Sequence, residues 1–228
     1  MNKSPGNNQI VIKLILCGDW GVGKSSLFRR FVHDSFVESN DRTSTLGFDH
    51  FEKTFVVDGK NIVLQLWDTG GLERVASVTT SYYKHADAAL LVFAWDAFES
   101  FNSLSNHLLE VLTSAENAKL FVCGNKADLR KQGMGPSQDD VDAFYRENQI
   151  NETENLFRAQ TYKTSCKTGD QVHNMFRDIA RHMAYAMAPP RPNVDYFQLR
   201  HDSLPSKVQS SCCTGGSTDG TALPSSSH

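Results

Sequence analysis

Apolar residues are arranged in two ways along this chain. Continuous or β-branched runs, typical of strands, occupy residues 10–17, 48–57, 61–67, 88–93 and 120–123. Apolar residues at helical spacing occur at 98–112 and 172–187, and a further helix is predicted to begin at Ser25. Asp58-Gly59, between two of the strand-like runs, is a strong hairpin signal. Strands that alternate with helices predict an α/β fold with a parallel-rich sheet.

The composition of the chain changes after Met187. The segment 188–228 holds five of the seven prolines and eight serines, but few apolar residues. Such a segment buries too little surface to offset the entropy that is lost on ordering. We therefore predict one domain at 8–187 and a disordered tail, rich in Ser, Pro and Gly, at 188–228.

Charge and cysteine content narrow the classes of function. The net charge is −3 and the isoelectric point is about 6.2, so bulk charge gives no reason to expect a nucleic-acid partner. The longest apolar runs are far shorter than the roughly 18 residues that span a bilayer. Five cysteines without a framework spacing are typical of a reducing compartment. We expect a soluble protein in the cytoplasm.

Residues 18–25, GDWGVGKS, match the phosphate-loop pattern GxxxxGK[ST] between a predicted strand and a predicted helix. That context presents backbone N–H groups and the positive end of the helix to a phosphate. Lys24 would reach the β- and γ-phosphates, and the Ser25 hydroxyl would bind Mg²⁺. A glycine-rich turn without a ligand is the alternative, which the Lys-Ser pair at the required positions disfavours. The predicted nucleotide-binding residues here are Gly21, Val22, Gly23, Lys24, Ser25 and Ser26.

Asn125-Lys126-Ala127-Asp128 directly follows a predicted strand, at the edge where open α/β sheets bind ligands. Alone, Asn and Asp more often cap a helix or form a turn. Together with the phosphate loop, the tetrapeptide resembles the base-binding motif of the Ras superfamily of small GTPases. The resemblance implies that Asn125 and Asp128 read the guanine edge while the stem of Lys126 covers the base. A carboxylate that accepts from N1 and N2 of guanine is unpaired with adenine, which explains a preference for GTP over ATP.

The resemblance is closest to the Rab branch and covers roughly residues 8–187. It implies a single P-loop GTPase domain, with a mostly parallel six-stranded sheet and helices on both faces. It also implies Mg²⁺ as cofactor and GTP or GDP as ligand. The segments that carry it are STLGFD at 44–49, LQLWDTGG at 64–71, SYYK at 81–84, ESF at 99–101 and TSCK at 164–167.

This resemblance assigns further residues to the metal and the nucleotide. Thr45 and Asp68 would join Ser25 in binding Mg²⁺, Thr45 directly and Asp68 through a water. The Gly71 amide would sense the γ-phosphate. Phe36 would pack beside the base, although an ordinary core aromatic is an equally open alternative. The predicted residues of the loop beside the base are Ser165, Cys166 and Lys167, with Cys166 offering its backbone N–H to guanine.

The chain departs from the Rab pattern at positions that bear on hydrolysis. Leu72 stands where most of the family has the glutamine that orients the attacking water, and leucine has neither a donor nor an acceptor. No residue is therefore assigned as catalytic. Trp20 stands in the phosphate loop where many Rabs have serine, and its indole could obstruct an incoming arginine finger. The segment 24–45 is two residues longer than in typical Rabs, so Thr43 is a second candidate for the switch threonine.

The cysteine pair at Cys212 and Cys213 resembles the pair that Rabs have prenylated. Fifteen residues follow it, whereas the family pair lies at the very end of the chain. The tail also lacks a polybasic second signal for stable anchoring. Lipidation is therefore not expected, and the predicted location is cytoplasmic, with peripheral association with endomembranes as the alternative.

Two hypotheses of function follow from the resemblance. The first is a Rab-like switch in vesicle trafficking that hydrolyses GTP slowly. The second is a constitutively GTP-loaded module that recruits effectors with negligible turnover. Both imply effector proteins and an exchange factor of Rab type as partners, and the first also implies a GTPase-activating protein (GAP).

Overall fold

The computed structural model describes residues 9–38, 49–69, 82–131, 135–148 and 161–187. These residues all belong to one unit of the chain, Met1–Ala188. The domain boundaries at 8–187 and 188–228 stay a prediction. The predictions that lie outside the described residues are those on Thr43, Thr45, Gly71, Leu72, Cys212, Cys213 and the tail at 188–228.

The described residues contain six strands: β1 (Gln9–Cys17), β2 (Asp49–Val57), β3 (Lys60–Asp68), β4 (Ala88–Ala94), β5 (Lys119–Asn125) and β6 (Tyr162–Lys163). They form one sheet in the order β2-β3-β1-β4-β5-β6. β2 and β3 are antiparallel, and the other neighbouring strands are parallel. The predicted mostly parallel six-stranded sheet is confirmed.

Helices cover both faces of the sheet, as the fold class predicts. The α-helices of the described residues are α1 (Lys24–His33), α2 (Phe98–Asn102), α3 (Leu104–Ser114), α4 (Gln138–Glu147) and α5 (Val172–Ala186). One core cluster joins α1 and α5 to one face of the sheet, and the other joins α2, α3 and α4 to the opposite face.

Alternation along β1 explains how one strand serves both cores. Leu14 and Leu16 are fully buried against α1 and α5, whereas Ile15 and Cys17 are buried in the cluster on the other face. Successive side chains of a strand point to opposite faces, so a strand that is covered twice needs apolar residues at every position. The continuous apolar run that the sequence shows is the direct consequence.

The helices differ from the prediction in two places. The expected single helix at 98–112 is divided at Ser103, whose hydroxyl bonds back to the Glu99 carbonyl oxygen at 3.0 Å. Such back-bonding competes with the helix ladder and bends helices. The sequence analysis also missed α4, although Ser137 and Asp140 form a capping box at its start. β6 is two residues long, too short to be read from a pattern.

The predicted hairpin between β2 and β3 is confirmed. Asp58 and Gly59 both have positive φ, 49° and 74°. Two such residues in succession are what a type I′ turn requires, and its twist matches that of the flanking strands. The turn also receives a hydrogen bond from the Tyr185 hydroxyl near the end of α5 to the Asp58 carboxylate.

Among the described residues, no helix combines the length and the apolar character needed to cross a membrane. The longest of them, α5, has 15 residues and carries a polar face with Arg177, Asp178 and Arg181.

Alkaline pH is expected to destabilise the fold through two thiols. Burial raises the pKa of Cys17 and of Cys123 to about 12, from an ordinary value of about 9. Between these values the unfolded state binds fewer protons than the folded state, so the free energy of unfolding falls as pH rises. Each thiol contributes a slope of up to about 1.4 kcal/mol per pH unit.

Urea unfolding of the wild type and of Cys123→Ala, each at about pH 8 and about pH 10.5, measures this contribution. The variant should lose less stability than the wild type over that interval. Equal losses in both proteins would show that ionisation of this thiol does not limit alkaline stability.

Candidate nucleotide-binding site

The loops at the carboxyl ends of the parallel strands bring the predicted site residues together. The phosphate loop follows β1, Lys126 follows β5 and Thr164 follows β6. These strands lie in the same direction, so their carboxyl ends meet at one edge of the sheet. The candidate site is therefore built at that edge from segments far apart in the chain.

The phosphate loop is packed too closely for side chains at two of its glycines. A Cβ on Gly18 would lie 2.2 Å from the Val92 carbonyl oxygen, and one on Gly23 would lie 2.3 Å from Asn125 Nδ2. Gly23 also has φ of 102° and precedes α1 without a side-chain cap. The backbone thus approaches its neighbours closely, and no capping side chain occupies the first turn of α1, where an anion would bind.

Lys24 is buried inside this loop. Its side chain is only 4% exposed, and Nζ donates to the carbonyl oxygens of Gly18 at 2.5 Å and Asp19 at 2.9 Å. A buried ammonium is costly unless hydrogen bonds compensate for the lost hydration. The loop therefore holds a positive charge at the position where the sequence predicts the β- and γ-phosphates.

The described candidates for Mg²⁺ are Ser25, in the first turn of α1, and Asp68, at the end of β3. Asp68 is 1% exposed and pairs in register with Leu16. Leu16 is the next-to-last residue of β1, the strand that leads into the phosphate loop. The adjacent Thr69 donates to the Leu16 carbonyl oxygen at 2.5 Å and so ties the two strand ends together. Hydroxyl and carboxylate oxygens are the hard ligands that Mg²⁺ prefers, so the residues present fit this ion.

Asn125 connects the phosphate loop to the base loop. Its side chain is 1% exposed, and Nδ2 donates to the Val22 carbonyl oxygen at 2.9 Å. Its Oδ1 accepts from the Thr164 hydroxyl at 3.3 Å and from the Cys166 backbone N–H at 3.3 Å. The residue predicted to read guanine thus also holds three segments of the site in place.

The base-binding tetrapeptide continues with an unusual backbone. Lys126 has φ of 59°, in the left-handed region, and its Nζ lies 3.4 Å from Asp96 Oδ1. The exposed Asp128 carboxylate accepts a hydrogen bond of 2.5 Å from the Ser165 hydroxyl. That bond orients the carboxylate, so Ser165 positions the group that is predicted to select the base.

The other two residues of the predicted base loop have distinct surroundings. Cys166 is 3% exposed, and burial raises the pKa of its thiol, which donates to Asn125 Oδ1 at 3.2 Å. Lys167 is exposed and forms an ion pair of 3.5 Å with Glu38. Phe36 is partly buried against the core cluster, a position that leaves both of its predicted roles open.

Two residues that the sequence analysis missed hold the site from outside. His107 of α3 is 8% exposed, and its Nε2 lies 2.8 Å from Asp19 Oδ1 of the phosphate loop. Arg30 of α1 donates to the carbonyl oxygens of Cys166 and Lys167. A polar residue at a buried helical position, such as His107, signals a polar partner but does not identify it.

Trp20 lies at the tip of the phosphate loop and is 62% exposed. A side chain of this size would ordinarily be largely buried. The indole therefore presents a large apolar surface to solvent beside the loop that is predicted to hold the phosphates.

Comparison with known proteins gives the family. The model of the Ras family matches residues 13–185, which run from β1 into α5 and include every loop described above. The chain belongs to the Ras family, in its Rab branch. RABF2a of Arabidopsis thaliana is 35% identical over 211 residues, which cover 92% of this chain and 98% of the relative. Rab-37 of Mus musculus is 34% identical over 209 residues, covering 91% and 88% respectively.

Membership in the Rab branch places this chain among small GTPases. Proteins of this family bind guanine nucleotides and Mg²⁺, and they act with effectors, exchange factors and GAPs.

Proposed function

We propose that this chain is a GTP/GDP-binding switch of Rab type that acts in vesicle trafficking and hydrolyses GTP slowly. The hydrogen bond between Asn125 and the Val22 carbonyl oxygen carries the proposal. It joins a phosphate loop to a base-binding motif 103 residues away, so one nucleotide can occupy both. Neither motif alone would distinguish GTP from another phosphate ligand.

The phosphate end of the nucleotide would be held by the loop and the start of α1. The backbone from Gly21 to Ser26 would donate hydrogen bonds, and Lys24 would supply charge to the β- and γ-phosphates. Ser25 and Thr45 would bind Mg²⁺ directly and the Asp68 carboxylate through a water, and the ion would neutralise charge on these phosphates.

The base end would be recognised by groups that hydrogen bonds or an ion pair connect to neighbouring residues. Asn125 and Asp128 would take the polar edge of guanine, and the Lys126 stem would cover its face. Ser165, Cys166 and Lys167 complete this set, and Ser165 orients Asp128. Orientation before binding reduces the entropy lost when the ligand arrives.

Leu72 and Trp20 are the residues that favour slow hydrolysis of GTP. Leu72 removes a group that would position water, while Lys24 still stabilises charge on the phosphates. The exposed indole of Trp20 at the tip of the phosphate loop would obstruct the approach of an arginine finger from a GAP. The same two residues support the second candidate function, a module that stays loaded with GTP and recruits effectors without turnover.

The nucleotide that copurifies with the protein tests the proposal. Chromatography of the nucleotide released from protein isolated from cells should show GDP, or a mixture of GDP and GTP. GTP alone, with no turnover on incubation, would favour the constitutively loaded module. An adenine nucleotide, or a preference for ADP over GDP in competition, would contradict guanine-switch function altogether.

Replacement of Ser25 by asparagine is expected to weaken Mg²⁺-GTP binding more than Mg²⁺-GDP binding, by at least about tenfold. An amide is a poor substitute for the hydroxyl ligand, and the GTP state depends more on the metal. Equilibrium titration of both nucleotides measures the ratio, with Ser114→Asn on α3 as a control. Equal weakening for both nucleotides would contradict the metal role of Ser25.

The proposed location is cytoplasmic, with peripheral association with endomembranes as in the Rab branch generally. Fractionation of cells expressing the full chain would locate it.

A further inference from the structure

Arg30 lies outside the residues assigned to the nucleotide, yet it is bonded to the base loop. Its Nε donates to the Cys166 carbonyl oxygen at 2.8 Å, and Nη2 donates to the Lys167 carbonyl oxygen at 3.0 Å. These carbonyls are consecutive, and Arg30 is separated from them by 136 and 137 positions. The planar fork of a guanidinium matches two neighbouring acceptors, as a lysine ammonium cannot.

The guanidinium is itself restrained on its other side. Nη1 donates to the Asp34 carbonyl oxygen at 2.9 Å and to its Oδ1 at 3.2 Å, and the Arg30 side chain is only 14% exposed. Gly169, with φ of 83°, closes over the arginine stem, since a Cβ there would lie 3.7 Å from Arg30 Cδ. Charge-assisted hydrogen bonds in such a partly buried setting are stronger than those between neutral groups.

Arg30 also connects the two halves of the site. It belongs to α1, which begins at Lys24, within the last two residues of the phosphate loop at 18–25. Because a helix is a rigid element, the bonds from Arg30 fix the base loop relative to the residues that would hold the phosphates.

We propose that Arg30 is a positioning residue for base recognition. Its guanidinium holds the backbone of Cys166 and Lys167 so that an amide of this loop meets O6 of guanine. With Asp128 facing N1 and N2, O6 is the acceptor next to them on the same edge of the base. This inference rests on the proposed function, because it concerns the same guanine site.

The test compares three nucleotides on the full chain. 6-Thio-GDP changes only the acceptor at position 6, and IDP lacks only the N2 amino group that Asp128 would bind. Dissociation constants for GDP, 6-thio-GDP and IDP are measured for the wild type, Arg30→Gln and Arg30→Lys. Arg29→Gln removes the same charge from the same helix and is the matched control. Arg30→Lys keeps the charge without the fork, so it carries the test if Arg30→Gln does not fold.

In both Arg30 variants the preference for GDP over 6-thio-GDP is expected to fall about tenfold, the value of one well-placed hydrogen bond. The preference for GDP over IDP should stay close to that of the wild type, and Arg29→Gln should behave as the wild type does. A general loss of stability would weaken all three ligands together and leave the ratios unchanged.

Unchanged ratios in the Arg30 variants, or an equal change in Arg29→Gln, would overturn the role of Arg30 while guanine binding stands. The wild type is also titrated with ADP in the same assay, and a preference for ADP over GDP would instead overturn the proposed function, and the inference with it. The two failures are therefore distinguishable in the same experiment.

Discussion

Replacement of Asp128 by asparagine is expected to move the base preference from guanine to xanthine. The carboxylate would accept from the N1 and N2 donors of guanine. Asparagine offers an N–H donor in place of one acceptor, which matches O2 of xanthine and leaves the N2 amino group of guanine without its partner. Sites built on hydrogen bonds reject a mismatched analogue by about 10⁴ to 10⁵, so the change in the GTP to XTP ratio should be on the order of 10⁴.

The surroundings of Asp128 allow asparagine to replace it without disturbing the fold. The Ser165 hydroxyl, 2.5 Å from Asp128 Oδ1, restrains the rotation of the side chain. Asparagine has almost the same shape as aspartate and can keep that contact through its own oxygen. The expected result is therefore a change of specificity in a folded protein rather than a loss of structure.

Competition binding of GTP against XTP measures this preference. Asp139→Asn, at an exposed position of α4, makes the same chemical change outside the site and should leave the preference for GTP intact. An Asp128→Asn protein that still prefers GTP as strongly as the wild type does would contradict the assignment of Asp128 to the base.

Replacement of Leu72 by glutamine is expected to raise the rate of intrinsic GTP hydrolysis about tenfold or more. Each factor of ten in rate corresponds to an activation free energy lower by roughly 1.4 kcal/mol. Hydrolysis needs a water in line with the γ-phosphate, and the protein contributes mainly positioning and electrostatics. Leucine cannot position water, whereas Lys24 stays in the loop to stabilise charge. Nucleotide affinity should therefore change little while the chemical step becomes faster.

Trp20 is expected to limit the acceleration of hydrolysis by a GAP. An arginine finger supplies about 10³ to 10⁵ in rate where it can reach the phosphates. The indole is 62% exposed at the loop tip, so Trp20→Ser should increase the response to a GAP more than it increases intrinsic hydrolysis.

Single-turnover assays of the wild type, Leu72→Gln and the double variant Leu72→Gln with Trp20→Ser measure both effects, with and without a GAP. Leu72→Met, which keeps the apolar character and size, is the control and should stay slow. If Leu72→Gln hydrolyses GTP no faster than Leu72→Met, Leu72 is a packing residue and a partner supplies what positions the water.

The sequence by itself determined five of the six strands, the hairpin and the two nucleotide motifs. These features depend on residues close together in the chain. The apolar run of β1, the Asp58-Gly59 turn and the GxxxxGK[ST] loop each have a local physical cause, so a pattern suffices to identify them. α4 could also have been found, since the Ser137 and Asp140 capping box is a local signal.

Tertiary structure alone decided how the motifs become one site. The bonds from Asn125 to Val22, from Arg30 to Cys166 and between Asp19 and His107 join residues 103, 136 and 88 positions apart. No local pattern specifies such pairs, because their distance follows from the order of the strands in the sheet. β6 is likewise defined only by its pairing with β5. The residue types of the site could thus be predicted from the sequence, whereas the hydrogen bonds that join them form only when the parallel strands end at one edge of the sheet.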